Sequence, residues 1–312
     1  GWATKYQNDL LDIVPEIDME EIVSYATDKG VGIILWAGYN AIMNNTEAVC
    51  AHYAKMGVKG FKIDFMDRDD AAMSAFYYNM AEICARHKLM IDYHGCAKPT
   101  GLNRTYPNVV NFEAVFGLEQ MKWSKPHVDQ REYDVTMPYI RMVTGPIDYT
   151  QGAMLNAPRD KYQPNGKKPM SQGTRCHQLA AYAVFFSPLS MLCDSPSHYR
   201  KNTECAEFIA SVPTVWDESV VVDGKIGEYI VTARRSGNAW YIGGMTDWNA
   251  RTISVNLSQL GLAAGTSLDI FSDGKNAAKN GTDYTRTSVT LPENGEVTIA
   301  MAPGGGFMIV AK

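Results

Sequence analysis

Three apolar runs of strand length begin 29 residues apart, at Val31, Gly60 and Leu89. They read VGIILWA (31–37), GFKIDF (60–65) and LMIDYH (89–94), and a fourth run follows at Val109–Val115. Amphipathic helical stretches separate the first three. Asp18 with Glu21 three residues on is a capping box. Ile22, Val23, Tyr25 and Ala26 follow it, and Gly30 stops the helix. Glu47–Met56 repeats this and ends at Gly57. Asp69–His87 carries Met73, Phe76, Tyr77, Met80, Ile83 and Cys84 on one stripe. Near-continuous apolar strands joined by helices imply a parallel sheet covered by those helices, hence an α/β fold. Two further strands are predicted at Tyr139–Asp148 and Leu189–Asp194, the second after a helix over Ser171–Phe186. Six strands leave a doubly wound sheet and a barrel both open.

The texture changes near Trp216. Beyond Ser219 there is no helical stripe. Short β-rich runs alternate with turn signals such as Asp223-Gly224, Ser236-Gly237-Asn238, Asp273-Gly274 and Asn294-Gly295. This predicts a small antiparallel β-sandwich, with domains over 1–215 and 216–312. A net charge of −5 and the lack of any Lys/Arg block argue against a nucleic-acid partner. The longest apolar runs are too short to span a bilayer, and Gly1–Lys5 carries no apolar leader segment. The six cysteines form no CxxC pair, which argues against a zinc ribbon or a thioredoxin motif and leaves most of them as buried thiols.

The chemistry concentrates at the ends of the predicted strands. Lys62 and Asp64 are two apart, so they share a face of their strand. A strand covered on both sides should carry neither charge. Asp92 and His94 repeat the pattern one strand on. Glu113 ends the next, and Glu119 follows on the loop opened by Gly117. In an α/β barrel this end of the strands is where active sites form. The alternative for each pair is a structural ion pair, and for Glu119 a solvated loop carboxylate. Asp67, Asp69 and Asp70 are expected to cap and charge the next helix rather than bind metal. Trp36 and Tyr39 can stack on a sugar or simply pack at a strand end. Asp148 and Asp194, each ending a later strand, can bind hydroxyls or cap helices.

Two of these acids suit glycoside hydrolysis. With Asp64 and Glu119 about 5–5.5 Å apart, one attacks and the other serves as acid and base, with net retention; a wider gap admits water and gives inversion. Lys62 beside Asp64 is expected to keep it ionised, and a more apolar setting is expected to keep Glu119 protonated.

Several stretches resemble glycoside hydrolase family 97. They are Gly60-Phe61-Lys62-Ile63-Asp64-Phe65-Met66-Asp67-Arg68-Asp69-Asp70, His94-Gly95-Cys96-Ala97-Lys98-Pro99-Thr100-Gly101 with Arg104–Asn108, and Asn111-Phe112-Glu113 through Glu119. The resemblance implies a (β/α)8 TIM-type barrel, here lacking its first strands, followed by the C-terminal sandwich. It implies that Asp64 is the nucleophile of the retaining α-galactosidase branch and Glu119 the acid/base. Inverting members carry a base glutamate directly after the histidine matching His94. This chain has Gly95 there, which points to retention. Glu113 matches a calcium-binding glutamate, with other ligands outside this chain. Lys62, His94, Trp36 and Asp92 are the expected substrate-binding residues.

The resemblance further implies an oligosaccharide substrate with terminal α-galactose, a periplasmic location, and a missing N-terminal domain or another chain that completes the barrel. The alternatives are an α-glucosidase of the same family, an inert carbohydrate-binding remnant, and a Schiff-base lyase acting through Lys62.

Overall fold

Each of the first three apolar runs becomes a parallel strand somewhat shorter than the run itself, in a computed structural model that describes residues 1–5 and 9–312. The chain opens with an antiparallel pair, β1 (Ala3–Lys5) and β2 (Asp9–Ile13). There follow α1 (Met19–Asp28), β3 (Ile34–Gly38), α2 (Tyr39–Asn44), α3 (Thr46–Met56), β4 (Gly60–Asp64), α4 (Ala71–Arg86), β5 (Met90–Tyr93), α5 (Leu102–Thr105) and β6 (Val109–Phe112).

The helix signals act as read. Asp18 accepts from the Glu21 N–H at 2.9 Å and starts α1, which buries Met19, Val23 and Ala26. Gly57, at φ +107, ends α3 in the left-handed conformation that favours glycine. Asp70 Oδ1 accepts from the Ala72 and Met73 N–H groups, so it caps α4 as expected. The buried stripe of α4 is Met73, Phe76, Tyr77, Met80, Ala81 and Cys84.

The parallel sheet has the order β3-β4-β5-β6. Its register sets two rows of side chains. Trp36 lies beside Lys62, Lys62 beside Asp92, and Asp92 beside Asn111. Past the strand ends, the His94 N–H donates to Ile63 O and the Glu113 N–H to Tyr93 O, each at 2.7 Å. The same pairing therefore carries on to a second row of Asp64, His94 and Glu113. Because side chains alternate, both rows face one way, while Phe61, Ile63, Ile91, Tyr93 and Phe112 face the other and join the apolar core.

Two predicted strands do not form. Tyr139–Asp148 begins inside a short helix, α7 (Met137–Ile140), after α6 (Gln130–Asp134), and continues through a 3-10 turn at Met142–Thr144. Pro138 suits the first helical turn, and Pro146 offers no ladder donor. Leu189–Asp194 forms no strand among the described residues; its Cys193 N–H reaches Gln151 O at 3.4 Å. The described residues thus hold four strands of the parallel sheet, not six. A separate two-residue parallel bridge joins β7 (Asn156–Ala157) and β8 (Ser171–Gln172).

Backbone contacts gather the chain into two units. One is Gly1–Val115 with Thr144–Asp148; the other is Phe116–Val143 with Tyr149–Lys312. The change of texture near Trp216 falls inside the second unit. There α8 (Arg175–Val184) is buried on every side. Then come α9 (Pro196–Lys201), α10 (Thr203–Ser211) and eight antiparallel strands: β9 (Glu218–Lys225), β10 (Tyr229–Ser236), β11 (Ala239–Thr246), β12 (Arg251–Asn256), β13 (Ser267–Asp273), β14 (Tyr284–Thr290), β15 (Glu296–Met301) and β16 (Gly306–Ala311). Six form a sheet of order β14-β13-β16-β11-β10-β9, and β12 pairs with β15.

One face of the large sheet packs Ile242, Phe307 and Ile309 with Ile253, Val255 and Ile299 of the β12–β15 pair. The other face packs Tyr241, Phe271, Met308 and Val310 against Leu179 and Ala183 of α8 and Phe208 of α10. Strands β11 and β16 are therefore apolar on both sides, and the strict alternation of a half-exposed strand is lost. No helix is long and apolar enough to cross a membrane among the described residues.

Candidate active site

Asp64 ends β4 with 14% of its side chain exposed. Its Oδ2 accepts from the Trp36 indole N–H at 3.1 Å, and its Oδ1 accepts from the Phe65 N–H at 2.8 Å. His94 Nδ1 lies 3.5 Å from Oδ2. Burial pushes the Asp64 carboxyl up, but His94, Trp36 and the Phe65 amide outweigh it and hold the pKa below the usual carboxylate value. Asp64 is therefore an oriented anion at neutral pH, which a nucleophile requires. The expected direction is right, but the groups in contact do most: Lys62, paired with Asp148 and Asp92, adds only a more distant charge.

Lys62 Nζ lies 2.6 Å from Asp148 Oδ2 and 3.8 Å from Asp92 Oδ2. Burial would lower its pKa, but Asp148 and Asp92 raise it on balance, so the ammonium stays charged. A charged ammonium is no Schiff-base nucleophile. The Asp92 side chain has no exposed surface, and burial together with Asp148 pushes its carboxyl well up. It stands behind Lys62 rather than at a surface that a sugar can reach.

His94 Nδ1 is 3.2 Å from Glu113 Oε2, and its Nε2 is 3.6 Å from Asp148 Oδ2. Burial opposes its protonation, but Asp64 and the other carboxylates prevail and the pKa is raised. Glu113 Oε2 also accepts from the Gly95 N–H at 2.6 Å. Glu113 is one carboxylate beside one imidazole, whereas calcium takes six to eight oxygens. These two groups do not by themselves make a calcium site. Glu119 belongs to the second unit, half-buried in the first turn of a 3-10 helix at Leu118–Lys122 whose cap is Gly117.

Gly95 has φ +52, and a Cβ there would meet Asp64 Oδ1 at 2.8 Å, the Phe65 N at 2.9 Å and Asp67 Oδ1 at 3.1 Å. A side chain directly after His94 would collide with the carboxylate on β4.

A family profile described as "Glycoside hydrolase 97" matches residues 1–115, and one described as "Glycosyl-hydrolase 97 C-terminal, oligomerisation" matches residues 215–312. A protein of Bacteroides thetaiotaomicron named "Retaining alpha-galactosidase" is 59% identical over 312 residues, covering 100% of this chain and 47% of that protein. The chain belongs to glycoside hydrolase family 97.

A family 97 enzyme from Pseudoalteromonas sp. strain K8, solved in complex with panose, matches at a TM-score of 0.87 and 28% identity, covering 100% of this chain and 52% of that one. A solved structure named beta-arabinopyranosidase matches at 0.81 and 29%, covering 94% and 48%. The chain spans less than half the length of the curated relatives it matches.

Sequence reading missed one part of the site's surroundings and gave another the wrong role. Asn111 completes the inner row, yet one polar residue in a strand carries no signal by itself. Asp148, expected to end a strand and bind a hydroxyl or cap a helix, instead pairs with Lys62, 86 residues away, and only the fold brings them together. In the second unit, the buried set of Arg131, Asp134, Tyr149 and His177 was also missed. Asp134 Oδ2 lies 2.5 Å from Arg131 and 3.2 Å from His177 Nε2, and its Oδ1 accepts from Tyr149 at 2.6 Å.

Proposed function

We propose that this chain carries the catalytic part of a retaining α-galactosidase that removes terminal α-galactose from oligosaccharides. The observation that carries the reading is the ionised, doubly hydrogen-bonded Asp64 with Gly95 packed against it, so that the carboxylate available to attack at this strand end is Asp64 itself. The close relative named a retaining alpha-galactosidase supports it. Asp64 attacks the anomeric carbon while Glu119 protonates the departing glycosidic oxygen. Glu119 then takes a proton from water, whose oxygen attacks the same carbon and frees Asp64. Lys62 and His94 face the sugar, with Trp36 orienting Asp64 and Asp92 supporting Lys62.

In this reading residues 1–215 are the catalytic domain and 216–312 the C-terminal domain. The four parallel strands are part of a (β/α)8 barrel completed by an N-terminal domain or another chain, and the protein works in the periplasm. Calcium takes Glu113 as one ligand, with further oxygens from elsewhere. Dialysis against EDTA should then lower turnover and added calcium restore it; turnover indifferent to both removes the calcium assignment.

The decisive experiment is Asp64→Ala. It should reduce hydrolysis of p-nitrophenyl α-galactoside by at least about 10³-fold, with partial rescue by azide giving the β-galactosyl azide. Near-normal turnover in the folded variant defeats the assignment. Parallel assays on the α-glucoside and the β-L-arabinopyranoside, which is the galactoside without its C6 group, fix the sugar.

A further inference from the structure

We propose that Asp148 is a positioning residue for this reaction: it holds the Lys62 ammonium in place from beneath, and through it the sugar. The inference rests on the function proposed above. The residue arrives on the short segment Thr144–Asp148, which belongs to the first unit although the chain on either side belongs to the second. One backbone bond seats it, from the Asp148 N–H to Phe112 O at 2.8 Å, at the end of β6.

From there its Oδ2 lies 2.6 Å from Lys62 Nζ and 3.6 Å from His94 Nε2. Of the two, only the Lys62 contact is a hydrogen bond, a short charge-assisted one. The Asp148 side chain has no exposed surface, whereas 17% of Lys62 is exposed. Asp148 is thus in no position to touch a sugar, and it acts through a group that is.

Its geometry fits that task. Lysine is a flexible chain with a point charge at its tip, and a 2.6 Å contact with a fully buried carboxylate fixes where that tip sits. His94 is held at Nδ1 by Asp64 and Glu113, and its Nε2, 3.6 Å from Asp148, makes no hydrogen bond to it. Asp92, 3.8 Å from Lys62 and without the short contact, is the weaker partner.

The test is a double-mutant cycle with Asp148→Asn and Lys62→Met in the complete enzyme, read as kcat and KM on p-nitrophenyl α-galactoside, with folding followed by urea melting. Displacing a binding group by about 1 Å costs on the order of 100-fold. Asp148→Asn should therefore lower kcat/KM by about that factor, and the double variant should fall no more than about threefold below Lys62→Met alone. A residue with a merely structural role would instead give effects that multiply.

Should Asp148→Asn fail to fold because Lys62 loses its short carboxylate partner, the double variant removes that cation and is compared directly with Lys62→Met. Equal activity supports the inference; a further large loss overturns it. A folded Asp148→Asn enzyme with near-normal kcat/KM also overturns it. Failure of the underlying reading looks different: turnover then survives Asp64→Ala, whereas failure of this inference leaves Asp64 essential.

Discussion

Gly95→Ala tests the crowding at the site. The new Cβ would sit 2.8 Å from Asp64 Oδ1, and ordinary contact begins near 3.4 Å, so the carboxylate or the loop must yield by 0.6 Å. The Phe65 N–H that holds Oδ1 is itself 2.9 Å from that Cβ, so the oxygen and its anchor are displaced together. Since an error of about 1 Å costs on the order of 100-fold, kcat should fall roughly 10- to 100-fold, with KM changing less. A left-handed alanine adds about 1–2 kcal/mol of backbone strain, read by urea melting.

Gly57→Ala is the control. It has φ +107 and a Cβ that would meet Val23 at 3.1 Å, with comparable strain where no acid is displaced. It should lose stability and keep kcat wherever the protein is folded. If Gly95→Ala is folded and turns over like the parent, or if both variants lose kcat equally, the reasoning is wrong.

Two buried groups of the second unit should tilt stability against pH in opposite directions. His177, fully buried, is pushed down to about 4 by burial and by Arg131, so the stability it confers is present above about pH 6.5 and is lost as the pH falls towards 4, on the order of 3 kcal/mol in all. Asp273 is pushed up to about 6 by burial, so its contribution is full below its unfolded value of about 3.8 and is lost as the pH rises through 6. In urea melts between pH 4 and 7, His177→Asn should flatten the acid loss and Asp273→Asn should steepen it; parallel curves refute both assignments. Asp70→Ala should cost about 1 kcal/mol through the two amide protons it leaves uncapped, without changing kcat. A loss below about 0.3 kcal/mol in urea melts, or a changed kcat, counts against the cap.

What the sequence made legible was local or periodic. Asp18, Gly57 and Asp70 act within four residues of themselves. The paired charges Lys62/Asp64 and Asp92/His94 announced a polar face because alternation is a property of any strand. What stayed hidden was long-range. Nothing near Asp148 says that it meets Lys62, and Tyr139–Asp148 has the composition of a strand while Pro138 before it favours a helical start and Pro146 within it lacks a ladder donor. Leu189–Asp194 failed likewise, since apolar composition without a neighbouring strand makes no sheet. The main cause of Asp64's acidity was hidden for a related reason: adjacency along the strand pointed to Lys62, which acts on Asp64 only through space, while the groups that touch Asp64 come from β3 and from the end of β5.

The two rows set by register have a consequence for folding. A slip of one residue in β4 or β5 would turn Lys62 or Asp92 into the helix-facing core and bring Phe61, Ile63 or Ile91 to the polar side. Each such error strands an ion in an apolar layer, at a cost of several kcal/mol. The charges kept for chemistry therefore also act as proof-readers of strand alignment, and a variant that neutralises them gives up fidelity of assembly along with activity.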